Sequence, residues 1–305
     1  MIDIPEELTA TQIKYGGEAG RAFLAALPER AADFLDRWEL RQTGRPMHGW
    51  CALVLPVERA DGMPAALKLQ AVDEESEGEP LALRTWDGDG AVRLLEYEQQ
   101  TGTLLLERLD SSRHLSGVAD SREAVRILAE LLARLTSVPA PHGLRRLGDI
   151  AARMLDGVPR ALTALADEDE RRLLTDCAAA VREVADEPGD RLLHWDLHYD
   201  NVLAAHPGSA REPWLAIDPK PLVGDPGFDL LPALGNRFDP AEVLWRFDLM
   251  TEVLGLDRER ARAWTLGRVL QNSLWDVKDG ETRLQERQVS IGRKLLAWKP
   301  GRHPS

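Results

Sequence analysis

The stretch Leu192 to Leu203, LLHWDLHYDNVL, constrains the chain more than any other. It opens on the apolar pair Leu192 and Leu193, as a buried strand does, and closes on Val202 and Leu203. Between them His194, Asp196, His198, Asp200 and Asn201 crowd into eight residues. Ionisable side chains between two buried strands are costly unless they are fully hydrogen-bonded or do chemistry. A further short strand, Trp214 to Ile217, delivers Asp218 and then Pro219, within IDPKPLVGDPGFDL. An Asp and an Asn on one loop, with a second Asp at the end of the next hairpin, can hold a divalent cation against triphosphate oxygens. One carboxylate is then left to take a proton from a hydroxyl. The pattern points to phosphoryl transfer.

A chain of 305 residues and 33.9 kDa can bury a large core, and it suits a bilobal unit or two domains better than one compact ball. The formal net charge of −13 and the pI of about 5.1 argue against a nucleic-acid partner and suit a cationic one. Cys51 and Cys177 lie far apart in apolar surroundings, so no disulfide framework is implied and a reducing cytosol is the expected compartment. MIDIPEELTA has no basic flank and no apolar run, and no apolar stretch reaches the roughly eighteen residues that cross a bilayer. No membrane partner is therefore expected. Only six of the 38 basic residues are lysines, which singles out Lys68 and Lys220 beside motifs.

In chain order, residues 18–38 carry Phe23, Leu24, Leu27, Phe34, Leu35 and Trp38 at helical spacing, with Pro28 read as the start of a second helix. Three antiparallel strands follow, at 39–43, 50–57 and 64–70, with a glycine-bracketed loop at Gly44 to Gly49 between the first two, fitting a sheet that covers a nucleotide. Lys68 faces away from Leu67 and Leu69 in the third strand. A helix is predicted from Glu74 to Trp86, with Glu79 on its first turns, and a hairpin over 92–98 and 103–108. Glu107 to Asp110 then reads as a connection between two lobes, 1–109 and 110–305, the second mostly helical. Helices are predicted over 121–136, 147–166, 169–185, 240–254, 259–276 and 281–298.

Asp196 and Asn201 in HWDLHYDN stand at the spacing of the catalytic loop of protein kinases, and Asp218 stands where their metal-binding Asp does. With IDPKP at that place, and with DGMPAALKL, LALRTWDGDGAVRLL, LLLERL and LWDVKDG elsewhere, the chain resembles the aminoglycoside/hydroxyurea antibiotic resistance kinases. The resemblance implies an α+β, bilobal, protein-kinase-like fold with a small β-rich N-terminal lobe and a larger helical C-terminal lobe. It implies transfer from ATP, with Mg2+, to a hydroxyl of a small molecule such as the aminoglycoside streptomycin, with hydroxyurea, a sugar or another metabolite as alternatives.

The roles implied by position are these. Asp196 accepts or orients the hydroxyl proton, Asn201 and Asp218 hold magnesium, and Lys68, paired with Glu79, binds phosphate. The main chain from Glu107 to Leu109 meets the adenine, and His194 braces the loop. Trp195 stands where relatives commonly have glycine, a large change that would narrow the acceptor pocket. A cationic acceptor would seek carboxylates among Asp200, Asp229, Asp276, Asp279 and Glu281, with Trp275 as a wall. Two other readings compete: a zinc-dependent hydrolase using His194, Asp196 and His198, and a nucleotide-binding homologue without activity.

Overall fold

A computed structural model describes residues 2–298, which divide into two compact units. The first runs to Ser111 and regains Ala204–Pro213; the second comprises Ser112–Leu203 and the chain from Trp214 onward.

In the first unit, helices α1 (Glu6–Tyr15) and α2 (Gly17–Arg37) precede strands β1 (Arg41–Gln42), β2 (Met47–His48), β3 (Ala52–Glu58) and β4 (Pro64–Gln70). Helix α3 (Glu79–Trp86) and strands β5 (Leu94–Glu98) and β6 (Thr103–Glu107) complete it. The antiparallel sheet has the order β1-β3-β4-β6-β5, with β2 also on β3. Alternation places Leu53, Leu55 and Val57 of β3 with Ala65, Leu67 and Leu69 of β4 in one core, which α2 closes with Leu27, Ala31 and Phe34. This packing carries α2 straight through Pro28, which lies inside one 21-residue helix and starts no second one. The lost backbone hydrogen bond is outweighed by the apolar contacts of Leu27 and Ala31 on either side.

Two local expectations shift. Arg41 pairs with Glu58 and Met47 with Val54, so β1 and β2 lie along the same partner, and the hairpin tip falls at Gly49–Cys51 instead of Gly44–Gly49. Gly49 N–H donates to Ala52 O at 3.0 Å, and Trp50 is left 63% exposed at the tip. Helix α3 begins at Glu79, five residues after the predicted Glu74, because Asp73 Oδ1 takes the N–H groups of Glu75 and Ser76 at 2.9 and 2.8 Å. That local turn competes with a helix over the same residues.

The chain leaves the first unit in β7 (Leu109–His114). The second unit holds α4 (Ser121–Leu135), β8 (Arg145–Arg146), α5 (Leu147–Ala164), α6 (Glu168–Val184), β9 (Arg191–Leu193), the first half of β10 (Val202–Ala205), β11 (Trp214–Ala216) and β12 (Leu222–Gly224). Helices α7 (Leu231–Gly235), α8 (Val243–Leu254), α9 (Arg258–Lys278) and α10 (Glu286–Ala297) end it. Asp120, Asp167 and Asp257 cap α4, α6 and α9 by accepting first-turn N–H groups. Two three-stranded sheets have the orders β11-β10-β7 and β8-β12-β9. In the latter β12 runs antiparallel to β9, with Leu222 opposite Leu193, so the residues after Asp218 return beside the strand that feeds the His194 loop. A short 3-10 turn, Pro226–Asp229, then packs on α9. Gly227 permits that approach, since a Cβ there would lie 2.7 Å from Ala261 Cα.

Candidate active site

The loop from His194 to Asn201 is held by its own backbone and by groups beneath it. His194 is fully buried, and its ring bridges two segments: Nε2 lies 3.0 Å from Ile217 O, and Nδ1 accepts from Asp196 N–H at 3.3 Å. Those partners fix one neutral tautomer, and burial drives its pKa down to about 3. Asp229, with no exposed surface, accepts His194 N–H at 2.9 Å on Oδ2 and also takes Trp195 N–H. Its carboxyl is pushed up to about 7 by burial, which outweighs those two donors. Buried Asp225 completes the brace, taking Gly227 N–H at 2.8 Å and Arg260 Nε at 2.6 Å.

On this frame Asn201 Nδ2 donates to Asp196 O at 2.9 Å, which leaves Asn201 Oδ1, an oxygen, for other use. Ile217 N–H donates to Asn201 O at 2.9 Å and Lys220 N–H to His194 O at 3.0 Å, so Asp218 sits between two ties to the loop. Asp218 has φ +56, a left-handed conformation uncommon for a non-glycine residue. Its Oδ1 lies 3.2 Å from Lys220 Nζ. Burial pushes the Asp196 carboxyl above the usual range, with His198 and Arg268 pulling it back. An amide oxygen and a carboxylate are oxygen donors of the kind a hard cation such as Mg2+ prefers, together with phosphate and water.

The zinc alternative fails on geometry. Both ring nitrogens of His194 are committed to hydrogen bonds, and among the described residues no three His, Cys, Asp or Glu side chains are grouped so as to hold a metal.

In the first unit Lys68 and Glu79 form a buried ion pair. Lys68 is 5% exposed and its Nζ lies 2.7 and 2.8 Å from the two Glu79 oxygens; Glu79 is 0% exposed and also accepts from Gln70 Nε2 at 2.8 Å. A lysine turned to solvent, the commoner case for a strand residue, is excluded. Glu107 has its side chain engaged: Oε1 takes Arg93 N–H at 2.7 Å and the Arg211 guanidinium. Leu109, 5% exposed, opens β7.

The residues named for the acceptor divide. Asp200 is exposed, and its Oδ2 accepts from Asn236 Nδ2 at 2.8 Å. Partial burial raises its carboxyl, but hydrogen bonds from Ser116 and Asn236 prevail and hold it low. Asp276 is half-buried in the last turn of α9, takes Gln285 Nε2 at 2.7 Å, and is raised by burial. Trp275 is 37% exposed, and Asp279 and Glu281 are open to solvent. Asp229 lies beneath the loop and presents no surface to an acceptor. Nor does Trp195 narrow an open pocket: it is 1% exposed, with φ +66. A bulky residue in that conformation costs roughly 1–2 kcal/mol.

Sequence reasoning missed Arg268, Arg145 and Arg211. Arg268 had a signal, since it follows Ala261 and Trp264 at helical spacing on the face that turns out buried. Arg211, in the connection HPGSAREP, had none.

The β-sheet unit carries the buried Lys68–Glu79 pair and the helical unit carries Asp196, Asn201 and Asp218, and the relatives of this chain are small-molecule phosphotransferases. Solved structures share the fold. An aminoglycoside phosphotransferase in complex with ADP and hygromycin B matches with a TM-score of 0.58, 14% identity, and 87% and 96% of the two chains covered. The choline kinase LicA from Streptococcus pneumoniae matches with 0.54, 13%, and 89% and 98%. The chain belongs to the aminoglycoside/hydroxyurea antibiotic resistance kinase family, whose model matches residues 37–280. It is 66% identical to a hydroxyurea phosphotransferase of Kitasatospora aureofaciens, over 97% of this chain and 86% of that protein. It is 55% identical to a streptomycin 6-kinase of Streptomyces glaucescens, over 97% of both. A streptomycin 3''-kinase of Klebsiella pneumoniae is 32% identical, over 86% of this chain and 98% of its own length. No helix among the described residues is long and apolar enough to cross a membrane.

Proposed function

We propose that this chain moves the γ-phosphoryl group of ATP to a hydroxyl of a small molecule, and that its acceptor carries a planar guanidino or urea group near that hydroxyl. The observation that supports the reading is the tie from Asn201 Nδ2 to the Asp196 carbonyl, which uses the amide nitrogen and leaves the oxygen Oδ1 as a donor for a cation on the loop that also holds Asp196. Asn201 and Asp218 are the residues to hold magnesium, which when bound neutralises charge on the phosphates. Lys68, kept in one orientation by Glu79, binds phosphate oxygens; Lys220, beside Asp218, adds positive charge. Asp196 orients the acceptor hydroxyl and takes its proton as the new bond to phosphorus forms. The backbone from Glu107 to Leu109 meets the adenine edge, and Asp276 with Trp275 lines the acceptor side.

The acceptor class rests on the relatives named above. Streptomycin bears guanidino groups and hydroxyurea is a urea, so one acceptor site can suit both through the same planar N–C–N donor geometry. Streptomycin is the acceptor we propose first, with two curated relatives at 55% and 53% identity named streptomycin 6-kinase. Hydroxyurea is the second reading, favoured by the 66% identical relative. The test is incubation with ATP and magnesium alongside streptomycin, hydroxyurea, amino sugars and plain polyols, read by mass spectrometry. A gain of one phosphoryl group on streptomycin or hydroxyurea is expected; phosphorylation of the polyols alone overturns the acceptor class.

A further inference from the structure

Trp195 is the residue immediately before Asp196, and three separate segments converge on it. The Arg145 guanidinium, from β8, lies 4.5 Å from the ring centroid, and the Arg268 guanidinium, from α9, lies 4.4 Å from it. Trp275, a further two turns along α9, meets it edge-on at 6.1 Å with the planes at 66°. Arg268 is itself 7% exposed; its Nη1 donates to Gln271 Oε1 at 2.6 Å, and its guanidinium reaches the Phe228 and Trp275 rings at 5.8 and 5.2 Å. From the turn after β12, Asp229 holds the backbone N–H groups of His194 and Trp195.

This arrangement is costly in two ways that a purely structural turn has no reason to bear. A left-handed residue is cheapest as glycine, and here it is the largest side chain available. A nearly buried guanidinium is dearer than a leucine unless its charge and plane are used. Backbone strain of this kind persists where the surroundings over-determine it, and it gathers at functional sites.

We propose that Trp195, gripped by Arg145 and Arg268, is a positioning device for Asp196: the clamped ring fixes the left-handed turn and with it the direction of the neighbouring carboxylate. On this reading Trp195, Arg145 and Arg268 act through Asp196, as positioning residues. The inference rests on Asp196 being the group that takes the acceptor proton.

The test is a double-mutant cycle with Arg145→Gln and Trp195→Gly, reading kcat, KM for ATP and KM for the acceptor. Glycine accepts φ +66 without strain, so the variant removes the clamp and leaves the turn allowed. A cation–π contact is worth about a 2-fold effect when exposed and about 30-fold when desolvated. Arg145→Gln is expected to lower kcat by a factor within that range, with KM for ATP within twofold, and to have no further effect in the Trp195→Gly background. Should the glycine variant fail to fold, Trp195→Leu takes its place in the cycle. An unchanged kcat in Arg145→Gln overturns the proposal, as does an equal loss in both backgrounds, or a rise in acceptor KM alone, which marks direct contact. Asp196→Asn is the control. If it is inactive while Arg145→Gln is fully active, the clamp is wrong and Asp196 keeps its role; if it turns over normally, the reading of Asp196 falls first.

Discussion

Removing either member of the Lys68–Glu79 pair separates what the pair does for stability from what it does for function. Lys68 is 5% exposed and Glu79 0%, and the contacts are 2.7 and 2.8 Å, so neither charge has water to fall back on. Breaking a buried pair from one side costs about 3–5 kcal/mol, because the remaining buried charge loses its contacting counter-charge. At roughly 3 °C per kcal/mol, Lys68→Met and Glu79→Leu each lower the melting temperature by about 10–15 °C. The double variant Lys68→Met/Glu79→Leu recovers at least half of that, since an apolar replacement of both charges is close to neutral. Gln70 Nε2, which loses its Glu79 acceptor, accounts for about 1–3 kcal/mol of what is not recovered. ATP affinity behaves differently: every variant lacking Lys68 loses about 10- to 150-fold, the worth of a charge-assisted contact of about 1.5–3 kcal/mol. Thermal denaturation followed by fluorescence, with calorimetric titration of ATP, reads both quantities. A double variant as unstable as the sum of the singles refutes the stability argument, and one that binds ATP normally refutes the role of Lys68.

Two further outcomes follow from buried groups at the loop, and a third from the first unit. Folded Asp229 keeps its proton up to about pH 7 while the unfolded chain gives it up near 3.8, so its contribution to stability falls as the pH rises between those values. Relative to wild type, Asp229→Asn therefore gains about 1.4 kcal/mol per pH unit from pH 4 to 7 in denaturant titrations, and a flat difference contradicts the assignment. His194 works in the opposite sense: neutral when folded down to about pH 3, it makes the fold less stable as the pH drops below 6.5, and His194→Gln should lose that slope in the same titrations. Arg211 ties Glu107 to Gly88 O and Ala91 O inside the first unit. Arg211→Met leaves a half-buried carboxylate and two carbonyls without that donor, and a loss of about 1–3 kcal/mol is expected; an unchanged melting temperature counts against it.

Long periodic segments were legible in the sequence. Helices over 121–135, 147–164 and 168–184 fall within two residues of their predicted limits, since an apolar stripe repeated over four or five turns has one solution. Strand β12, three residues long, carries too little period to be read, although it returns the chain from Asp218 to β9. The helix predicted over 74–86 is present from Glu79 to Trp86, and only its start was misplaced, by Asp73, whose local hydrogen bonds no periodicity reports. At the site, the spacing of Asp196, Asn201 and Asp218 was plain because it is a feature of one loop and one hairpin. What escaped was everything contributed at long range. Arg145 and Arg268 reach Trp195 from 50 and 73 residues away in sequence, and a solitary arginine announces nothing about the ring it will cover. The place of Asp229 was likewise hidden: named in the sequence as a carboxylate for a cationic acceptor, it lies fully buried and takes His194 N–H instead.

The most direct measurement is a single-turnover experiment with Asp196→Asn, ATP, magnesium and the acceptor found for the wild-type protein. The substitution keeps the backbone carbonyl that Asn201 Nδ2 bonds but removes the base, so ATP should bind within about twofold of wild type while transfer slows by about 100- to 10,000-fold. Transfer at the wild-type rate, or a loss of ATP affinity that matches the loss of rate, contradicts the assignment of Asp196 as the group that receives the acceptor's proton.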